Sequence, residues 1–183
     1  MVEPTRADAR RNRERLLAMA AAAFAAADGP VSLEAIARDA GVGIGTLYRH
    51  FPSREALVEA VYRTELAEVC ASAGELLQRY PAVAALRRWM NRYAGFVAAK
   101  KGMAESLRAI LDDGAVERSE TRASIVGAVN TLLRAGAAEG SLRSDVRADD
   151  VVSSLLGIFL ASGSADQAHR MLDLLVDGLV ATR

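Results

Sequence analysis

The stretch Ser32–Leu57, SLEAIARDAGVGIGTLYRHFPSREAL, decides the fold. Apolar Leu33, Ile36, Ala37 and Ala40 recur at helical spacing and give a first short helix one buried face. Ala40-Gly41-Val42 interrupts it, because Gly41 can take the left-handed backbone conformation that a sharp reversal needs. A second helix is expected from about Ile44 to His50, with Val42, Leu47 and Phe51 turned inward. Thr46, Tyr48, Arg49 and His50 then lie on or near the outer surface. A short helix carrying hydroxyls, an aromatic ring and bases outward after a glycine turn has the chemistry of a major-groove reader. Pro52-Ser53-Arg54-Glu55 opens a third helix, with Ser53 as its cap.

These residues also carry a resemblance. GVGIGTLYRHFPSREAL resembles the recognition helix and following helix of tetracycline-repressor-like (TetR-like) bacterial transcription regulators. Thr46-Leu47-Tyr48, His50-Phe51, Arg54 and Leu57 are similar to that family's pattern, and the likeness covers about residues 10 to 60. Gly43 departs from it, standing where the family often has a serine cap. Glycine is the weaker cap by only a few tenths of a kcal/mol, roughly. The resemblance implies an all-α fold of about nine helices. Residues 1–53 would form the DNA-binding domain with a basic N-terminal arm, and residues 54–183 an effector-binding and dimerisation domain.

Charge and composition fit this reading on closer inspection. The chain of 183 residues has a formal net charge of zero, which alone argues against nucleic acid. The charge is uneven, however: Arg6, Arg10, Arg11, Arg13 and Arg15 crowd the first 15 residues against Glu3, Asp8 and Glu14. The 37 alanines favour helices over sheets, and no stretch reads as a strand. Cys70 is the lone cysteine, so a disulfide framework is excluded and a small buried hydrophobe is expected. An enzyme has poor candidates, since the histidines are His50 and His169 alone and neither metal-ligand spacing nor a phosphate loop appears. No apolar run is long enough to cross a bilayer, no cofactor is implied, and a cytoplasmic location is expected.

Taken in order, RRNRERLLAMAAAAFAAADG has the basic start and apolar run of a secretory signal. The run is mostly alanine, with acids mixed into its basic segment. It reads better as an amphipathic helix from near Arg10 to Asp28-Gly29-Pro30. Ser32 caps the next helix, and Glu34 suits its dipole. From Ser53 a long helix is expected to reach about Tyr80, roughly 40 Å at the α-helical rise, linking the two domains. Beyond Pro81, helices are expected through Val97, over Met103–Leu111, Val116–Ala138 and Val151–Ser162, and after Gly163-Ser164.

The candidate DNA contacts are Ile44, Gly45, Thr46, Tyr48, Arg49, His50 and Arg54. Thr46 can offer a hydroxyl and a methyl to base edges. Gly45 costs the helix about 1 kcal/mol relative to alanine, which suggests a steric reason for its presence: close approach to the groove. Tyr48, His50 and Arg54 resemble the family's phosphate-contacting positions, which set register without reading sequence. Arg49 can reach a guanine or a phosphate, and the sequence leaves that choice open. The arginine-rich arm would add salt-dependent affinity.

Further on, Trp89, Met90, Tyr93, Phe96, Met103 and Leu107 form an aromatic and methionine cluster. A core is its default explanation. The resemblance implies an effector cavity there, lined to suit a small apolar or amphipathic molecule, with Asn91, Arg92 and Arg108 as candidate polar anchors. Leu155, Phe159, Met171, Leu174 and Leu175 belong to a dense apolar face on the last two helices. By resemblance this face forms a homodimer, so that paired recognition helices read a palindromic double-stranded operator. A ligand-responsive repressor is the function implied. The alternatives are a DNA-binding factor of the same family without a small-molecule effector and, remotely, a helical enzyme.

Overall fold

The computed structural model describes residues 6–27, 29, 31–99 and 115–181. Eight helices are found among them: α1 (Arg6–Ala26), α2 (Leu33–Asp39), α3 (Ile44–His50), α4 (Arg54–Leu77), α5 (Ala82–Ala99), α6 (Ala115–Ala138), α7 (Ala148–Ala161) and α8 (Ala165–Leu179). The fold is all-α, close to the nine helices expected. The short helix over Met103–Leu111, with Met103, Leu107 and Arg108, lies outside the described residues. Two compact units form, one from residues up to Glu65 and the other from Leu66–Val97 and from Val116 onward. The continuous helix α4 contributes to both.

In the first unit, α1 begins a turn earlier than the apolar pattern indicates. Residues 6–15 are good helix formers, and Asp8 in the first turn complements the helix dipole. The helix buries Leu16, Leu17, Ala20 and Phe24, and these meet Leu33, Ile36, Ala37 and Ala40 of the α2 segment. Leu47, Phe51, Leu57, Val58 and Val61 complete the core. Ser32 caps α2, its hydroxyl accepting from the Ala35 N–H at 3.2 Å and donating to Glu34 at 2.9 Å.

The helix α4 stops three residues before the expected Tyr80. Pro81 disfavours helical backbone at the residue before it, and the Arg79 and Tyr80 N–H groups turn back to the Leu76 carbonyl.

In the second unit, α5 buries Ala82, Ala85, Leu86, Trp89, Met90, Tyr93, Ala94 and Phe96. Its first N–H, on Ala82, donates to the Glu139 carboxylate at 3.1 Å, a cap supplied from just beyond α6. Gly140, at φ +68°, ends α6, and the chain then folds back so that Leu142 packs on Gly136. A Cβ at Gly136 would lie within 2.7 Å of the Leu142 Cβ, so only glycine allows this approach. Leu142 forms an isolated antiparallel bridge with Val180, which ties the α6–α7 turn to the end of α8. Arg87 of α5 pairs with Asp173 and Asp177 of α8, while Arg122 of α6 joins Asp149 and Ser153 of α7. No helix among the described residues is long and apolar enough to cross a membrane.

Candidate nucleic-acid interface

The α2–turn–α3 segment is built by local hydrogen bonding. Gly41 stands at φ +68°, its N–H donates to the Arg38 carbonyl, and the Val42 N–H donates to the Ala37 carbonyl, both at 2.9 Å. This pair of bonds is a Schellman ending, which satisfies the last carbonyls of α2 and reverses the chain within two residues. Gly43 then starts α3 without a side-chain cap, its carbonyl accepting from the Thr46 and Leu47 N–H groups. Leu47 and Phe51 are buried and anchor α3 to the core.

That anchoring turns the remaining face outward. Ile44 is 36% exposed and Tyr48 46%, although Leu47 and Phe51 beside them are buried. Arg49 is exposed, and Thr46 and His50 are half-buried. Arg49 does not project freely. Its Nε donates to the Gly45 carbonyl at 3.2 Å and its Nη2 to Thr46 Oγ1 at 3.3 Å, so it lies back along its own helix. The i, i+3 and i+4 spacing of Gly45, Thr46 and Arg49 was the signal for this, and sequence reasoning overlooked it. No acidic residue lies on α3, and Arg49 and His50 sit in its last turn, where positive charge complements the helix dipole.

Arg54, expected as a phosphate clamp, is held from within the unit. Its Nη1 donates to the Val31 carbonyl at 2.6 Å, and its guanidinium lies 5.6 Å from the centre of the Phe24 ring. It joins the start of α4 to the segment between α1 and α2, with further donors left for a second partner. Arg13, which sequence reasoning counted only as bulk charge, lies over the Phe51 ring at 5.2 Å. Of the other arm arginines, Arg10 pairs with Glu14 and Arg11 with Asp8, and Arg15 bonds Asn12. These are exposed pairs of small worth, about 0–1 kcal/mol each, and a phosphate can displace them.

An outward face of hydroxyl, aromatic and base on a short anchored helix belongs to a DNA-binding regulator, and comparison with known proteins agrees. Residues 16–61 match the family model for bacterial regulatory proteins of the tetR family. Residues 81–181 match the model for the C-terminal domain of SbtR-like transcriptional regulators. The chain belongs to the TetR family. Among solved structures it is similar to a TetR transcriptional regulator from Streptomyces coelicolor, with 46% identity over 93% of this chain and 99% of that one, at a TM-score of 0.81. A TetR regulatory protein from Mycobacterium vanbaalenii is 33% identical over 96% of this chain and 99% of that one, at a TM-score of 0.77. A transcriptional regulator from Cytophaga hutchinsonii, at 17% identity and a TM-score of 0.67, shares the fold. A comparison with proteins of curated function returned no match. As a TetR-family protein this chain is a DNA-binding transcription factor, not an enzyme.

In the C-terminal half of this TetR-family chain, Trp89, Met90, Tyr93 and Phe96 are brought together and buried. Trp89 stacks on Tyr93 with ring centres 5.5 Å apart, and Phe159 of α7 meets Tyr93 at 5.8 Å. The Trp89 indole N–H donates to the Val69 carbonyl of α4 at 2.9 Å, so its polar edge is already satisfied. Asn91 and Arg92 are exposed on α5. Cys70 is half-buried, and burial pushes its thiol above the ordinary value, away from a reactive thiolate.

Of the residues expected on a dimer face, Leu155 is fully enclosed within its own chain. Phe159, Met171 and Leu175 are half-buried. Leu174 is 72% exposed. The neighbours Leu156 and Leu160 are also exposed, Leu160 by 87%. Leu160 was absent from the sequence expectation.

Proposed function

We propose that this TetR-family regulator is a cytoplasmic repressor that binds a palindromic operator as a homodimer and leaves it when a small apolar or amphipathic molecule enters the C-terminal region. In this reading residues 1–53 grip DNA and residues 54–183 carry the effector and dimer functions. The observation that carries the DNA part is the outer face of α3, where Ile44 and Tyr48 stay exposed although Leu47 and Phe51 beside them are buried. Ile44 and Tyr48 share this exposed helix with Thr46 and Arg49, and a face that groups apolar, hydroxyl and cationic groups suits an external partner such as a DNA groove. Tyr48→Ala is the cleanest test, because Tyr48 contributes little to the core. The variant is expected to weaken binding to the DNA flanking the gene at least about tenfold by fluorescence anisotropy, a change of about 1.4 kcal/mol. Unchanged affinity with unchanged thermal stability would refute the docking of α3.

The aromatic cluster favours one competing reading. Trp89, Tyr93 and Phe159 fill space against one another, and the indole N–H is spent on Val69. A regulator that binds DNA without a small-molecule effector is compatible with such packing. A panel of apolar ligands separates the two readings: release from the operator by any of them supports the repressor, and uniform indifference supports the ligand-free factor.

A further inference from the structure

A cavity of about 220 Å³ opens beside the end of α4 and the outer side of α5, lined by Leu76, Arg79, Tyr80, Arg88, Asn91 and Arg92. Three of the six lining residues are arginines, and none is acidic. Arg87 is matched to Asp173 and Asp177, Arg122 to Asp149, and Arg143 to Asp145. Among the described residues, Arg79, Arg88 and Arg92 have no carboxylate partner. Arg134, Arg147 and Arg170 of the same unit also stand without a carboxylate partner among the described residues, so what distinguishes the three arginines here is that they line one cavity together. Arg88 and Arg92 stand one turn apart on α5, the spacing at which like charges repel. Arg88 lies over the Tyr80 ring at 4.2 Å, and Arg79 lies over the same ring at 5.8 Å. A guanidinium held over a ring is positioned by the attraction of its charge to the ring face, which leaves its in-plane N–H donors unspent.

We infer that this cavity is a binding site for a small oxyanion carrying two or more negative charges, of the phosphate-ester or polycarboxylate kind. The guanidinium fork matches the paired oxygens of both groups. Asn91 supplies an amide beside the charges, and the buried Leu76 forms an apolar wall. The volume admits a metabolite rather than a macromolecular surface. The lining residues are separate from the Trp89–Tyr93–Phe159 cluster, so this site does not depend on an effector binding there.

Isothermal titration calorimetry in low-salt buffer, with citrate and inorganic pyrophosphate as probes, tests the site. At least one probe is expected to bind once per chain. The double variant Arg88→Gln/Arg92→Gln is expected to lower that affinity about tenfold or more. Arg79→Gln, placed in the turn rather than on α5, should weaken it independently, and Arg134→Gln on α6 should leave it unchanged. Binding of citrate alone assigns the site to polycarboxylates, and binding of pyrophosphate alone to phosphate esters. No heat with either probe, or binding that persists undiminished in the double variant, overturns the inference. All four arginines are exposed, so their removal leaves the core intact.

Discussion

Gly45 stands just inside α3, where a Cβ would meet nothing of its own chain within 4 Å. Glycine at such a place costs the helix about 1 kcal/mol relative to alanine and relieves no internal crowding. The proposed docking of α3 supplies a steric reason from outside the chain, since the backbone of a groove-reading helix is where a DNA surface would come closest. Gly45→Ala should therefore raise stability to urea by up to about 1 kcal/mol while lowering operator affinity. If denaturation and anisotropy showed both quantities rising together, the close-approach argument would be lost. Gly41 answers to a different cause. Its positive φ and two reversing hydrogen bonds are local, which is why Ala-Gly-Val could be read as a turn from the sequence. Arg54 and Arg49 were less legible, because a cationic side chain advertises its charge and not its partner. Only the folded chain brings the Val31 carbonyl and the Phe24 ring to Arg54.

At the scale of the helix, the same device opens α2 and α4. Ser32 and Ser53 each accept an N–H three residues on, from Ala35 and Ala56. Glu34 and Glu55 stand two residues after these serines. Each carboxylate is held below its ordinary value, first by its own backbone N–H and then by the serine hydroxyl. A carboxyl whose folded pKa is lowered stabilises the fold above its unfolded pKa, near 4.3 on average. That contribution is lost as pH falls through the lower folded value. Ser32→Ala/Ser53→Ala should accordingly cost about 1 kcal/mol per cap at pH 7. Its deficit relative to the parent should shrink on acidification below about pH 4. Urea titrations at pH 7 and pH 3 measure this, and a deficit that grows in acid would contradict the capping account. Helix α1 starts at Arg6, one turn before the expected Arg10, because a helix extends wherever propensity and dipole allow and is not bounded by the apolar residues it buries.

At the scale of the whole molecule, the question is what the leucines of α7 and α8 are for. Helix α7 is apolar nearly all round: Val151, Val152, Leu155, Leu156, Ile158, Phe159 and Leu160 follow within ten residues. Periodicity cannot orient such a helix, so Leu155 was expected on an interface and Leu160 was passed over. In the folded chain α7 touches α8 and also meets α5 and α6, and the resulting rotation encloses Leu155 while Leu156 and Leu160, with Leu174 of α8, stay in water. Fully burying a leucine contributes roughly 1.5–3 kcal/mol, so covering these side chains with a second copy would stabilise a dimer appreciably. A dimer also couples two short recognition helices on one DNA, which raises affinity by roughly 10²–10⁴ without any new base contact. Leu160→Glu/Leu174→Glu should therefore sediment as a folded monomer with helix content unchanged. Its operator affinity should fall by a factor in that range, although every residue of α3 remains in place. Retained dimerisation in this variant, or a wild-type protein that sediments as a monomer at micromolar concentration, would remove these leucines from the interface and return the exposed face to some other partner.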